Sequence, residues 1–309
     1  MTSNAASPVS NRVTFAMSIM VMAMLIIPGM DILAKLLATR FEMAPASITF
    51  ARFFVQVFLM LVLIMVRSKS FRLSARNTMF NILRGLLIGF ASMLFFISVK
   101  YMPVADAISI FFVEPIFVMF MSWMFLNERV GWRRVLAAIV GFGGALLVIQ
   151  PSFSEFGMVT LLPLCTAILF AFYLILTRKY GVGDDPMKMQ FFSGIGGVLF
   201  CSAAVGFGEV VGIADLQYTL PTQWQVYGWL LLIGFIATVG HLLIVLAFSI
   251  APASILAPFQ YVEIVSATLL GLMIFGDFPN PTKWLGTAII IGSGLFIFWR
   301  EQRDSTVSR

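Results

Sequence analysis

Long apolar runs, separated by short polar segments, repeat along the whole chain. Each run is about 20 residues long, which is the length that a helix needs to cross a hydrocarbon core of roughly 30 Å. The runs do not alternate apolar and polar positions as barrel strands do, and a helix satisfies its own backbone hydrogen bonds in lipid. The pattern therefore predicts an all-α integral membrane protein with about ten transmembrane helices. The predicted spans cover residues 13–37, 46–66, 77–99, 104–126, 132–149, 157–177, 187–208, 224–248, 253–275 and 282–299.

Composition excludes several other classes of protein. The chain has 309 residues, of which 60% are hydrophobic and only 11% are charged, whereas soluble domains contain about 25% charged residues. The longest polar connection, near residues 208–223, is too short for a soluble domain. We therefore expect membrane lipids around the protein, and no extramembrane module that catalyses a reaction or binds nucleic acid.

The net charge of +6 comes from basic residues in alternate connections, as the positive-inside rule requires of cytoplasmic loops. The other connections contain Glu42, Glu155, Glu209 and Asp215 and are poor in lysine and arginine. This distribution predicts that both termini lie in the cytoplasm. The basic residues of the predicted cytoplasmic connections and termini are Arg12, Arg67, Lys69, Arg72, Arg76, Arg129, Arg133, Arg134, Arg178, Lys179, Lys188, Arg300, Arg303 and Arg309.

An internal repeat relates residues 102–128 to residues 251–277. The two segments align at one constant shift, 263 − 114 = 149, which pairs Glu114 with Glu263 and Pro103 with Pro252. We interpret the chain as two five-helix repeats, 1–150 and 151–309. Because five is odd, the repeats would insert with opposite orientation, and inverted repeats place the substrate site near the midplane where they meet.

Glu114 and Glu263 lie about ten residues into their spans, at a depth of about 15 Å in a core of roughly 30 Å. A carboxylate at this depth costs several kcal/mol, so it usually faces a cavity or a partner. The two could share one cavity, or neighbouring helices could satisfy each separately. In a shared cavity they could bind a cationic substrate or carry a coupling proton, because burial and mutual repulsion favour the protonated form.

Aromatic residues lie within a helical turn of both glutamates. Phe111 is close to Glu114 in the sequence, and Phe259 and Tyr261 are close to Glu263. Such rings could hold a cation or a heterocycle, or they could simply pack in a chain with 32 phenylalanines.

Further polar residues fall inside the spans. Asp31 could pair with Lys35 one turn away, or with Arg52 as an outer gate or a clamp for a substrate carboxylate. Arg84 is expected to extend towards the headgroups. Pro115 removes a backbone donor and should kink the fourth span. Weaker cavity candidates are Tyr173, Gln190 and His241.

The stretch from residue 103 to residue 148 contains ADAISIFF, a proline in the fourth span, LNERVGWRR and GFGGALLV. These motifs, in this order, resemble the EamA-type transporters of the drug/metabolite transporter superfamily, and the resemblance extends over nearly the whole chain. It implies ten helices in two halves, a central cavity that opens alternately to each side, and a multi-pass protein of the bacterial plasma membrane. The second half departs from the pattern at Gly276 and Asp277, where the first half has Asn127 and Glu128.

The sequence thus predicts a secondary active transporter for a small polar metabolite, cationic or zwitterionic, such as an amine, a betaine or an amino acid. An aromatic or heterocyclic metabolite, such as a vitamin or a nucleoside derivative, is the alternative. An integral-membrane enzyme is disfavoured, because no nucleophile or metal-ligand cluster accompanies the single histidine. We expect no cofactor and no metal. Coupling to protons and the oligomeric state, a dimer included, stay open.

Overall fold

The computed structural model describes residues 8–67, 77–102, 104–128, 131–149, 156–275, 281–282, 284–286, 288–289, 291–293 and 295–296. Several residues named above lie outside this part of the chain. They are Lys69, Arg72, Arg76, Pro103, Arg129, Glu155, Gly276, Asp277, Arg300, Arg303 and Arg309. The predicted boundary between residues 150 and 151 also lies outside it.

The described part of the chain is helical and contains no strand. A proline follows Ile27 directly, and because proline lacks the backbone N–H that a continuous helix needs, the first span is divided into two helices at this point. The helices are α1 Pro8–Ile26, α2 Pro28–Arg40, α3 Pro45–Arg67, α4 Thr78–Tyr101, α5 Val104–Phe111, α6 Glu114–Leu126, α7 Trp132–Ile149, α8 Leu161–Gly181, α9 Pro186–Val211, α10 Trp224–Ile250, α11 Ala253–Leu256 and α12 Val262–Phe275.

Seven helical segments in this part of the chain are long and apolar enough to cross a membrane. Three shorter apolar helices, Glu114–Leu126, Val135–Gly144 and Trp284–Ser293, occupy the remaining predicted spans. The prediction of an all-α membrane protein with about ten spans is confirmed. The helix ends differ from the predicted ends by a few residues, as expected for frayed termini.

The two halves of the chain interlock instead of forming separate bodies. Helices α3 and α4 of the first half pack mainly against α9 of the second half, and α4 also packs along α8. Helix α1 packs along α10. The middle of the molecule is therefore lined by helices from both halves.

Helices α4 and α9 cross with their backbones in direct contact. A Cβ atom built at Gly85 would lie 2.1 Å from the carbonyl oxygen of Ser193, and one built at Gly196 would lie 2.2 Å from that of Ile82. Small residues permit this kind of approach between membrane helices. Gly85 and Gly196 therefore serve the close packing of α4 against α9.

Candidate functional site

The two spans that carry the buried glutamates are both broken beside the glutamate. In the first half, α5 ends at Phe111 and α6 begins at Glu114. In the second half, α11 ends at Leu256, a 3₁₀ turn covers Ala257–Tyr261, and α12 begins at Val262. Each carboxylate therefore sits in the first turn of a half-helix, where the positive end of the helix dipole favours negative charge.

Proline accounts for both interruptions. Pro115 lies in the first turn of α6, and the predicted kink is confirmed as a break at Phe112 and Val113. Pro258 opens the 3₁₀ turn of the second half. This second break was not expected from the sequence, although the position of Pro258 in the ninth span was its signal.

A cavity of about 60 Å³ lies between helices of both halves. Two carboxylates, Asp31 and Glu263, reach it, together with the imidazole of His241 and the amide of Gln260. Its volume accommodates on the order of four water molecules. The remaining lining residues are Met24, Ile27, Met30, Ile88, Ala91, Ser92, Phe95, Phe96, Phe111, Thr166 and Phe170.

Glu263 has two like-charged neighbours, Asp31 and Glu114. The structure therefore brings both predicted glutamates and Asp31 into one electrostatic group, although only Glu263 and Asp31 line the cavity. Their mutual repulsion means that the group is most stable with a cation among them or with protons bound.

Glu114 is fully buried behind the cavity wall, with Gln260 as its polar neighbour. Neither oxygen of Glu114, nor Nε2 of Gln260, has a hydrogen-bond partner among the described residues. Gln260 does line the cavity, so it stands between Glu114 and the cavity contents.

Phenylalanine rings form one wall of the cavity. The ring of Phe111 lies edge-on to Phe95 at 5.8 Å and to Phe170 at 5.6 Å. Phe170 in turn lies 6.1 Å from the imidazole of His241 and 5.5 Å from Tyr173, which is buried behind it. The wall offers ring faces and edges to a cation or to a flat heterocycle.

The structure places the other predicted aromatic and amide residues outside the cavity lining. Phe259 and Tyr261 are buried, and the Tyr261 hydroxyl donates to the carbonyl of Phe112 at 3.4 Å. Gln190 accepts a hydrogen bond at its backbone carbonyl from Gln56 Nε2 at 2.9 Å. Any contact of these residues with substrate would require a change of conformation.

Arg52 lies behind the cavity, next to Asp31. Its guanidinium Nη1 donates to the hydroxyl of Ser92, a lining residue, and Asp31 is its opposite-charged neighbour. Lys35 donates to the carbonyls of Val99 and Met102, at 3.1 Å and 2.8 Å. Arg52 thus contacts the cavity wall through Ser92.

The expectation that Arg84 extends to the headgroups is wrong. Its side chain is completely buried, donates to Thr177 at 2.9 Å and to Asn81 at 2.8 Å, and lies over the ring of Tyr173. Thr177 and Tyr173 both belong to α8, which covers the Arg84 side chain. Arg84 therefore points into protein and not towards lipid.

Sequence reasoning missed several residues of the cavity. Gln260 could have been predicted, because a polar amide in an apolar span is costly unless it has a partner or a function. Ser92 and Thr166 carried none, because small hydroxyls in membrane helices can bond to their own helix, as Thr166 does to the carbonyl of Leu162 at 2.9 Å.

Within the described residues, no group of three or more histidine, cysteine, aspartate or glutamate side chains has the geometry to hold a metal ion. Cys165 and Cys201 are free thiols. The site is thus a carboxylate-bearing, ring-walled cavity in the middle of a helical membrane protein.

Proteins with similar sequences are transporters. The chain is 29% identical to the S-adenosylmethionine uptake transporter of Rickettsia bellii (strain RML369-C) over 273 residues, which cover 88% of this chain and 89% of the relative. It is 30% identical to a riboflavin transporter of Vibrio cholerae serotype O1 over 209 residues, 67% of this chain and 66% of that one.

Comparison with solved structures supports the fold alone. One crystal structure superimposes with a TM-score of 0.71 at 16% sequence identity, covering 90% of this chain and 95% of the other.

The model of the EamA-like transporter family matches twice, at residues 14–150 and 157–299. The chain is a member of the EamA-like transporter family, built from two of its repeats.

Proposed function

We propose that the protein is a secondary active transporter that moves a small cationic or zwitterionic metabolite across the bacterial inner membrane by alternating access. One observation carries the proposal: Glu263 and Asp31 reach a ring-walled cavity at the point where two broken helices meet. Carboxylates held together in a low-dielectric interior attract a cation strongly. Membership of the transporter family supports movement of the bound molecule in preference to chemistry on it.

An adenosyl sulfonium compound fits the chemistry of the cavity best. S-adenosylmethionine, the substrate named for the relative from Rickettsia bellii, carries a sulfonium cation, an ammonium group, a carboxylate and a purine ring. Glu263 and Asp31 would hold the cationic groups. The rings of Phe95, Phe111 and Phe170 would pack against the purine.

The cavity must enlarge to admit such a molecule. Its volume of about 60 Å³ is well below the roughly 300–1,000 Å³ of typical ligand pockets. Rotation at the two helix breaks would widen it, because a broken span can bend where a continuous helix cannot. We propose that this bending opens the cavity to one side of the membrane at a time.

Glu263 and Glu114 would have different roles in transport. Glu263, which lines the cavity, binds substrate, whereas Glu114, which lies behind Gln260, takes up the coupling proton. Asp31 and Arg52 would shape the outer side of the site. With both termini in the cytoplasm, as the basic loops indicate, the repeats 1–150 and 151–309 cross the membrane in opposite directions.

A neutral heterocycle is the second candidate substrate. The ring wall favours it, and the relative from Vibrio cholerae is named a riboflavin transporter. A flavin would use the rings without needing the carboxylates. Substrate charge therefore separates the two candidates.

The test is a thermal-stability measurement of the purified protein with S-adenosylmethionine, with S-adenosylhomocysteine, which lacks the sulfonium charge, and with riboflavin. Wild type is compared with Glu263→Gln and with Glu42→Gln, an exposed glutamate that serves as the control. We expect S-adenosylmethionine to stabilise wild type and Glu42→Gln but not Glu263→Gln. Stabilisation by riboflavin alone, unchanged in Glu263→Gln, would reject the cationic substrate.

A further inference from the structure

The imidazole of His241 is the contribution of α10 to the cavity lining. Helix α10 is described over its whole length, Trp224–Ile250, and His241 is the one residue of this helix that lines the cavity. The residue is only 3% exposed, so its surroundings are the cavity and the neighbouring helices. Helix α10 therefore presents a single polar side chain to the contents of the cavity.

This imidazole has a nitrogen without a partner. Nδ1 of His241 is buried and has no hydrogen-bond partner among the described residues. Two rings of α8, Phe170 and Tyr173, stand edge-on to the imidazole, each with its centre 6.1 Å away. Buried polar atoms are normally paired, so the imidazole lacks a partner that a water molecule or a ligand in the cavity can supply.

Other polar groups of the cavity lining already have neighbours of their own. Thr166 Oγ1 lies within hydrogen-bond distance of carbonyl oxygens of α8 and α4, at 2.9 Å and 3.2 Å. Ser92 accepts a hydrogen bond from Arg52, and Gln260 has Glu114 as its polar neighbour. The carboxylates of the lining suit cationic groups. The imidazole is thus left for a neutral polar group of the ligand.

The place of the imidazole beside the ring wall indicates what this neutral group is. Phe170 lies between His241 and Phe111, with its ring centre 6.1 Å from the imidazole and 5.6 Å from the Phe111 ring. A flat ring that packs against this wall would have its edge towards the imidazole. A neutral imidazole has one donor and one acceptor, and the edge of adenine carries an acceptor nitrogen beside an amino donor.

We propose that His241 is a specificity-determining residue, which hydrogen-bonds the edge of a nitrogen heterocycle in the substrate while the rings of Phe111 and Phe170 pack against its face. This role rests on the proposed function, because it concerns the ligand of the same cavity. It adds a requirement for a nitrogen heterocycle to the requirement for positive charge. Aliphatic amines and betaines have no such ring, so they would leave the imidazole without a partner and should bind more weakly.

The test compares two sulfonium compounds that carry the same charges. S-adenosylmethionine contains adenine, whereas S-methylmethionine has the sulfonium, ammonium and carboxylate groups without any ring. Dissociation constants are measured by titration calorimetry on purified wild type, His241→Phe, His241→Gln and Thr238→Val. Thr238→Val is the matched control, since Thr238 is buried about one turn away on α10 and already donates to the carbonyl of Gly234 at 2.6 Å.

We expect wild type and Thr238→Val to bind S-adenosylmethionine more tightly than S-methylmethionine. His241→Phe keeps a ring but removes both nitrogens, so binding of S-adenosylmethionine should weaken roughly 2- to 12-fold, the equivalent of one net hydrogen bond, while binding of S-methylmethionine is unchanged. His241→Gln, whose amide still donates and accepts, should keep part of the preference. Equal weakening of both compounds in His241→Phe, or weakening of neither, would overturn the role of His241.

A measurement without ligand separates binding from a structural role. Loss of an imidazole whose Nδ1 is unpaired removes no hydrogen bond of that atom, so the thermal midpoint of ligand-free His241→Phe should not fall below that of wild type. A fall of several degrees in both His241→Phe and His241→Gln would assign the imidazole to the stability of the fold instead.

The outcome for His241 can be told apart from the outcome for the cationic substrate. If wild type binds neither sulfonium compound, the cationic substrate fails, and the same titrations are made with riboflavin, which is also a nitrogen heterocycle. Weaker binding of riboflavin by His241→Phe than by wild type would then support the role of His241. Equal binding by the two proteins, or binding by neither, would overturn it.

Discussion

Phe112 and Tyr261 hold equivalent positions in the two repeats and touch each other. Their ring centres are 5.7 Å apart, and the Tyr261 hydroxyl donates to the Phe112 carbonyl. Their separation in sequence, 261 − 112 = 149, is the same shift that relates Glu114 to Glu263. The contact between these two counterparts shows that the repeats meet beside the two breaks, next to the carboxylates.

Replacement of either ring should destabilise the protein, and replacement of both should cost little more stability than replacement of one. We expect Phe112→Ala and Tyr261→Ala each to lower the thermal midpoint, with a double variant less stable than wild type by clearly less than the sum. Residues in direct contact typically show coupling energies of about 0.5–3 kcal/mol. Strict additivity of the two losses would mean that the rings do not stabilise each other.

Substitution of the two glutamates should impair different steps of transport. In Glu263→Gln we expect loss of substrate-induced stabilisation and at least a tenfold fall in uptake, because this side chain lines the cavity. In Glu114→Gln we expect substrate binding to survive while gradient-driven uptake falls by a similar factor. Uptake into proteoliposomes with and without a pH gradient measures both. Loss of binding in both variants would mean that Glu114 also contacts substrate.

The ring wall should matter to substrates that contain a heterocycle. Phe170→Leu keeps the cavity apolar but removes a ring that lies between Phe111 and His241. Aromatic pairs contribute about 0.5–1.5 kcal/mol beyond burial, so the KM for such a substrate should rise about 2- to 12-fold. Phe58→Leu, at an exposed phenylalanine on α3, is the control. Equal effects of the two substitutions would argue against contact between the wall and substrate.

The glycine crossing of α4 and α9 predicts that alanine lowers stability at one glycine of α9 and not at another. In Gly196→Ala, the new methyl group would lie 2.2 Å from the carbonyl oxygen of Ile82. Overpacking costs about 1–3 kcal/mol or more, so the thermal midpoint should fall by about 5 °C. Gly206→Ala, on the same helix, meets no neighbouring atom within 4 Å and should not lower it. A fall of equal size in Gly206→Ala would point to helix flexibility instead of crowding.

Glu128 ties the first repeat to the start of a broken span in the second. Its carboxylate accepts from the backbone amides of Ala253 and Ser254, at 3.2 Å and 3.1 Å, and lies 3.4 Å from Arg178 Nε. Loss of such a helix cap costs about 0.5–2 kcal/mol. We expect Glu128→Ala to lower the thermal midpoint more than Glu128→Gln, whose amide oxygen can still accept. Equal falls in the two variants would mean that the ion pair with Arg178, which both substitutions remove, is the main interaction.

The spans could be predicted from the sequence because apolar runs of about 20 residues without alternation are stable in lipid only as helices. The constant shift of the internal repeat singled out Glu114 and Glu263 as equivalent positions. Pro115 indicated the break in the fourth span, since proline removes a hydrogen bond wherever it falls in a helix.

The position of Arg84 could not be inferred in the same way. Helix α4 is apolar on nearly all sides, so its sequence does not reveal which face meets lipid and which meets protein. The side chain of Arg84 is covered by α8, through Thr177 and Tyr173, and the hydrogen bond to Thr177 joins residues that are 93 positions apart in the sequence. The cavity residues Ser92 and Thr166 could not be predicted for the same reason.

The crossing at Gly85 and Gly196 also has a mechanical meaning. At Gly85 and Gly196 the two helices touch through backbone atoms, and one turn further along α4 the Phe200 side chain of α9 packs against Gly89 and Phe90. The same contact prevents the helices from approaching further, which fixes the distance between the repeats at that point. In the alternating access proposed above, the crossing would be the fixed point about which the helices bend at the proline breaks.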